Sequence, residues 1–251
     1  MWTPTTKLPL LLLTAVLGLG CGGEPEGAPT SGPPEASEPT VSDSAVSEPA
    51  VSEPDLGAED VSTQGPRVIF LGDSLTAGYG LDEDQAFPAL VAAELEARGY
   101  PIRMVNAGIS GDTTAGGASR LDWLLRQEPE ILVVALGAND GLRGVDLDAS
   151  ESHLRDILTR ARDAGVDVLL AGMLIPPNYG PEYTETFAAL FPKLAEEFDV
   201  PLIPFLLEGV AARPELNLDD GIHPNVEGQV RVAQTVLQHL EPLVVEASGG
   251  T

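Results

Sequence analysis

Cysteine is almost absent from this chain: of 251 residues only Cys21 carries a thiol, so no intramolecular disulfide can form. Positive charge is scarce as well. Thirteen Lys and Arg stand against 39 Asp and Glu, for a formal net charge of −26. A body this acidic excludes a nucleic-acid partner and electrostatic docking on anionic lipid. Histidine occurs three times and aromatic residues make up 5% of the chain. The apolar run at the front, Leu8 to Leu19, is about a dozen residues long, short of the ~20 needed to span a bilayer. With Lys7 before it and small residues after it, residues 1–20 read as an export signal.

The segment Leu17-Gly18-Leu19-Gly20-Cys21 resembles a bacterial lipobox, with Gly18 where the pattern prefers leucine. The alternative is an ordinary secretory signal with an incidental cysteine. Residues 21–65 favour the lipobox reading. After Cys21 they consist largely of Pro, Ser, Glu, Gly and Ala, with ten acidic residues and neither Lys, Arg nor an aromatic. Such a stretch buries too little apolar surface to offset its ordering entropy. As a flexible coil it would reach roughly 35–40 Å, further with charge repulsion. The sequence therefore predicts an exported lipoprotein, anchored to the membrane through acylated Cys21. A disordered acidic tether would hold a monomeric domain, residues 66–251, facing the periplasm or the cell exterior.

In that domain, 29 acidic residues accompany 12 basic ones. Short apolar, β-branched runs recur at Val68–Leu71, Ile102–Val105, Ile131–Leu136, Val168–Leu170 and Leu202–Ile203. Between them lie stripes at helical spacing: Phe87, Leu90, Val91 and Leu95; Leu154, Ile157, Leu158 and Ala161; Phe187, Leu190, Phe191, Leu194 and Phe198. Val226, Val230, Ala233, Leu237 and Leu240 form the last. Strands alternating with helices predict βαβ units, a parallel sheet and a three-layer α/β/α domain.

Ligands of such sheets bind at the carboxyl ends of the strands, so the residues following each run matter most. They are Gly72-Asp73-Ser74-Leu75, then Asn106 to Asp112, then Gly137-Ala138-Asn139-Asp140, then Ile175 to Tyr179, and finally Asp219 to Asn225. Acyl transfer needs a nucleophile, a base, a group orienting the base, and donors for an oxyanion. Ser74 could supply the nucleophile, although its position equally suits a helix N-cap. His153 and His239 lie within amphipathic helices and are expected on the solvated surface. His223 lies in a loop three residues after Asp220, a spacing that lets the carboxylate hold one imidazole nitrogen while the other faces a hydroxyl. As a pair alone, Asp220 and His223 could also be ordinary loop residues. Gly111 (backbone N–H) and Asn139 (side-chain amide) are candidate oxyanion donors, or else turn residues. Asp73 and Asp112 read as structural, bonding loop N–H groups. Asp219 and Asp220 have no further ligands at a recognisable spacing, so no metal site is expected.

Taken together, Gly72–Leu75, Gly111, Gly137–Asp140 and Asp220–Pro224 resemble the four blocks of the SGNH/GDSL hydrolases. Asn106–Thr113, Gly137–Gly144, Pro177–Gly180 and Phe191–Pro204 resemble the branch of TesA-like acyl-thioesterases, lysophospholipases and arylesterases. The likeness covers most of residues 67–245. It implies a flavodoxin-like sandwich with five parallel strands, no cofactor, and serine ester hydrolysis. Ser74 would be nucleophile, His223 base and Asp220 its orienter. The Ser74 N–H, Gly111 and Asn139 would form the oxyanion hole, and Asn178 and Tyr179 in the Pro177–Gly180 loop would touch substrate. A small-molecule or lipid ester would be the partner. The alternatives are an acyltransferase that uses the same acyl-enzyme and a catalytically inactive binding lipoprotein.

Overall fold

A computed structural model describes residues 65–249. The expectations for the signal, for Cys21 and for nearly all of the tether lie outside these residues. Five strands, β1 (Arg67–Gly72), β2 (Arg103–Gly108), β3 (Ile131–Ala135), β4 (Asp167–Ala171) and β5 (Leu202–Ile203), form one sheet in the order β2-β1-β3-β4-β5. All four pairings are parallel, with Val68 opposite both Met104 and Ile131. Strands β1 and β3 sit mid-sheet and are buried nearly throughout, which is why they read as unbroken apolar runs. Edge strand β2 is half-exposed and carries the mixed sequence RMVNAG.

The helices are α1 (Ser74–Ala77), α2 (Phe87–Ala97), α3 (Thr114–Leu125), α4 (Ala138–Leu142), α5 (Leu147–Asp163), α6 (Pro181–Phe198) and α7 (Val226–Ala247). Helix α2 packs on α7, while α3 packs on α5 and α5 on α6, which gives one helical layer on each face. Edge-to-face ring pairs, Phe70 with Phe87 at 5.8 Å and Phe187 with Phe191 at 5.5 Å, fill the two interlayer cores. This is the flavodoxin-like sandwich, with its strand order reversing at β1.

Several sequence expectations need correction. Strand β2 runs to Gly108, so Asn106, Ala107 and Gly108 belong to it: pairing with β1 extends the strand past its apolar run. Helix α3 carries two glycines and a sparse apolar stripe, and its periodicity is too weak to read. Of the expected α7 stripe Ala233, Leu237 and Leu240 are buried, but Val226 and Val230 are each 43% exposed, and Val232, Val236 and Val244 complete the buried face. His153 and His239 are half-buried, not solvated. The Nδ1 of His153 lies 3.3 Å from the Thr114 hydroxyl, and that of His239 lies 3.0 Å from the Thr235 carbonyl.

Two long-range side chains tie this frame together. Gln229, on α7, is 1% exposed and accepts the Phe87 N–H at 2.9 Å, which caps α2 where Ala86 offers no side chain to do so. Arg120, on α3, donates to the carbonyls of Ala107 and Gly72 at 2.7 and 3.0 Å and pairs with Asp112 at 2.9 Å. It thereby bonds the Ala107 carbonyl and adds a second bond to the Gly72 carbonyl, which also accepts the Ile109 N–H at 3.1 Å.

Candidate active site

At the end of β1 the chain turns directly into the short helix α1. Asp73, fully buried, is its N-cap and accepts the Leu75 N–H at 3.0 Å. The N-cap reading of Ser74 is therefore corrected: Ser74 occupies the first helical position, half-buried, with its hydroxyl free to face the sheet edge. Its own N–H is one of the orphan donors of a helix start and makes no bond among the described residues.

Far along the chain, the loop before α7 is folded by its own bonds. Leu218 N–H donates to the His223 carbonyl at 2.8 Å and Asn225 N–H to the Leu216 carbonyl at 3.0 Å. The Asn217 amide donates to the carbonyls of Val210 and Arg213. Within this loop, Asp220 Oδ1 accepts the N–H groups of Ile222 and His223 at 2.8 and 3.0 Å. Its Oδ2 meets His223 Nδ1 at 2.6 Å, and His223 Nε2 lies 2.9 Å from Ser74 Oγ. With Asp220 as acceptor, Nδ1 carries a proton and the neutral ring presents Nε2 as acceptor to the hydroxyl. The His223 N–H above all, together with the imidazole and the Ile222 N–H, holds the Asp220 carboxyl down at about 2 against the cost of burial.

Tyr79, which no sequence motif marked, lies beside His223 with ring centroids 4.4 Å apart and 35° between planes. It is half-exposed and shares this edge with three other exposed apolar side chains. Ile109 follows β2, Leu174 follows β4, and Ile222 adjoins His223.

Gly111 sits in the β2–α3 loop at φ +80, the left-handed region where a side chain would be strained. Its N–H has no acceptor among the described residues. Asn139 lies in the first turn of α4, after Gly137, whose φ of +113 turns the chain off β3. The Asn139 amide donates to the Asp112 carbonyl at 2.9 Å and to Asp73 Oδ2 at 3.3 Å. Arg143 reaches back to the Gly111 carbonyl at 2.9 Å and to Asn139 Oδ1 at 3.3 Å. Asp112 accepts the Thr113 N–H and the Arg120 guanidinium, the structural part expected of it. Burial dominates at Asp73 and pushes its carboxyl up to about 6, against the lowering pull of the Leu75 N–H, His223 and Asn139.

The structure therefore joins Ser74, His223 and Asp220 in one hydrogen-bonded chain, and joins Gly111 to Asn139 through Arg143. Asn178 is exposed and makes no hydrogen bond among the described residues. Tyr179 lines a groove of about 590 Å³ with Leu147 and Tyr183, and its phenol donates to the Leu142 carbonyl at 2.7 Å. Neither residue bonds to the Ser74–His223 pair. Among the described residues, no group of three His, Cys, Asp or Glu side chains is arranged to hold a metal ion.

A hydroxyl, an imidazole and a carboxylate in series, at the carboxyl edge of a doubly wound sheet, are the working parts of a serine hydrolase. Residues 70–231 match the GDSL-like Lipase/Acylhydrolase family, and the chain belongs to it: it is an ester hydrolase. It is 45% identical over 178 residues to "Thioesterase 1/protease 1/lysophospholipase L1" of Escherichia coli (strain K12), a match covering 70% of this chain and 84% of that protein. It is 41% identical over 180 residues to an "Arylesterase" of Vibrio mimicus, covering 71% and 90%. The crystal structure of TesA superposes with a TM-score of 0.68 at 43% identity, covering 70% of this chain and 99% of that one.

Proposed function

We propose that Ser74 is the nucleophile, His223 the base and Asp220 its orienter in a two-step hydrolysis of carboxylic esters. The observation that carries this reading is the unbroken series Asp220–His223–Ser74, with contacts of 2.6 and 2.9 Å. His223 Nε2 takes the hydroxyl proton as Ser74 Oγ bonds to the ester carbonyl carbon. The resulting oxyanion is held by the N–H groups of Ser74 and Gly111 and by the Asn139 amide. Collapse breaks the bond to the leaving alcohol, which takes the proton from His223. Water then attacks the acyl-enzyme, giving its proton to His223, and the acid departs as Ser74 recovers its hydrogen. Each oxyanion donor is expected to contribute about 10²–10³ in kcat.

The substrates are esters with an apolar acyl or aryl part. Tyr79, Ile109, Leu174 and Ile222 provide exposed apolar surface along the edge that carries Ser74. Thioesters, lysophospholipids and aryl esters, the classes in the relatives' names, are the substrates to try first, and Asn178 and Tyr179 are proposed to border the substrate. The enzyme acts as a monomer without a cofactor, exported and tethered to a membrane through acylated Cys21.

Ser74→Ala and His223→Ala should each abolish hydrolysis of a short-chain p-nitrophenyl ester while leaving the circular dichroism spectrum unchanged. Near-normal turnover by Ser74→Ala would overturn the assignment. Cys21→Ser should move the protein from the membrane to the soluble fraction and abolish labelling by an alkyne fatty acid. An unchanged distribution and label would refute the anchor.

A further inference from the structure

We infer that Arg143 is a positioning residue for the oxyanion hole, locking Asn139 and Gly111 into the geometry that the reaction needs. The inference rests on the reading of Gly111 and Asn139 as oxyanion donors. Arg143 is the C-cap of α4, one helical turn beyond Asn139, so the two side chains rise on the same face. One guanidinium nitrogen, Nη2, donates both to Asn139 Oδ1 at 3.3 Å and to the Gly111 carbonyl at 2.9 Å.

The first contact adds to the Asp112 and Asp73 acceptors in fixing which way the amide faces. An Asn side chain presents an oxygen at one end and two N–H donors at the other, and rotation by 180° exchanges them. Here the oxygen faces a cation, while the nitrogen faces the Asp112 carbonyl and the Asp73 carboxylate. The flipped amide would set its N–H groups against the guanidinium and its oxygen against two acceptors. With Arg143 in place, the NH₂ stays turned toward Asp112 and Asp73, the residue before Ser74, where one of its two hydrogens would pass from its present acceptor to the oxyanion.

The second contact restrains the β2–α3 loop at a glycine in the left-handed region, beside a turn closed by the Asp112 N–H on the Ile109 carbonyl. Gly111 lies so close under Arg143 that a Cβ placed there would sit 3.4 Å from Nη2. Loop and helix, arriving from two different strands, are thus joined by two side chains of α4, Asn139 on the Asp112 carbonyl and Arg143 on the Gly111 carbonyl. Arg143 forms no ion pair among the described residues, although acidic side chains dominate the domain, so its charge remains directed at these two oxygens.

The test uses the full chain and a neutral ester, p-nitrophenyl butyrate, with Ser74→Ala as the control. Arg143→Ala should lower kcat about 10- to 100-fold, less than outright loss of an oxyanion donor, with KM within about two-fold. The affinity for an alkyl boronic acid, a mimic of the tetrahedral intermediate, should fall by a similar factor. Arg143→Lys should recover part of the rate, because one ammonium can donate to both oxygens as Nη2 does but reaches them from a shorter stem. In an Asn139→Ala background, Arg143→Ala should cost clearly less than in the parent. The inference is overturned if kcat is unchanged, if only KM rises, if the loss appears only with phosphate-bearing esters, or if the Arg143 and Asn139 effects are fully additive. A Ser74→Ala protein that still turns over would instead remove the underlying reading of the site.

Discussion

Asp73 offers a quantitative test of the buried electrostatics beneath the active site. Its side chain is fully buried, yet it is asked to accept the Leu75 N–H and the Asn139 amide. Burial outweighs those bonds and lifts its carboxyl from the ordinary 3.8 to about 6. A displacement of that size corresponds to about 3 kcal/mol between the protonated and ionised forms. Between pH 4 and 6 the native state binds more protons here than the unfolded chain does. This group's contribution to stability is therefore full below pH 4, is lost as pH rises through 6, and stays flat above. Asp73→Asn removes the titration but leaves the volume. Urea unfolding of both proteins from pH 4.5 to 8 should show their stability difference shifting in favour of Asp73→Asn by about 2 kcal/mol, the part of the transition that lies above pH 4.5, or about 4–8 °C in Tm for a domain of this size. Any constant offset from the new amide cancels in that difference, as do titrating groups remote from Asp73. Two parallel stability curves would refute the reasoning.

Three further outcomes follow from single contacts. Gln229→Ala leaves the Phe87 N–H buried without an acceptor, and should cost about 1–3 kcal/mol, read as a lower Tm with kcat little changed. Tyr79→Leu removes the ring beside His223. The ring's face would stabilise the imidazolium formed during turnover, so the loss should be about 0.5–2 kcal/mol, some 2- to 30-fold in kcat/KM, with Tyr79→Phe retaining most of the rate. Asp220→Asn should cost about 10²–10⁴-fold in kcat. Because Asp220 is held at about 2, it stays ionised across pH 4–9 and should add no step to the activity profile there.

The parts of the fold that could be read from sequence are those where one force acts alone. Strands β1 and β3 are buried on both faces, so Val68–Leu71 and Ile131–Leu136 stand out as apolar runs. The chemistry at their ends was visible because small and polar residues follow each run directly. The four-block resemblance then joined Ser74 to Asp220 and His223 across some 150 residues, a distance over which spacing alone carries no information. Helix α3 escaped because Gly116 and Gly117 weaken its period, and the end of β2 escaped because pairing with β1 overrides its polar composition. Val226 and Val230 misled because both point outward from α7, and apolar spacing cannot say which of two adjacent stripes meets the core. Tyr79, Arg120 and Gln229 were invisible for a common reason. Each acts through partners far away in sequence or through backbone carbonyls, neither of which leaves a local pattern.

The most direct measurement is to trap the acyl-enzyme surrogate. The intact protein, treated with a fluorophosphonate, should gain the mass of one adduct, and peptide mapping should place it on Ser74. His223→Ala should react far more slowly, and Ser74→Ala not at all. An adduct on another residue, or active enzyme that remains unlabelled, would contradict the account.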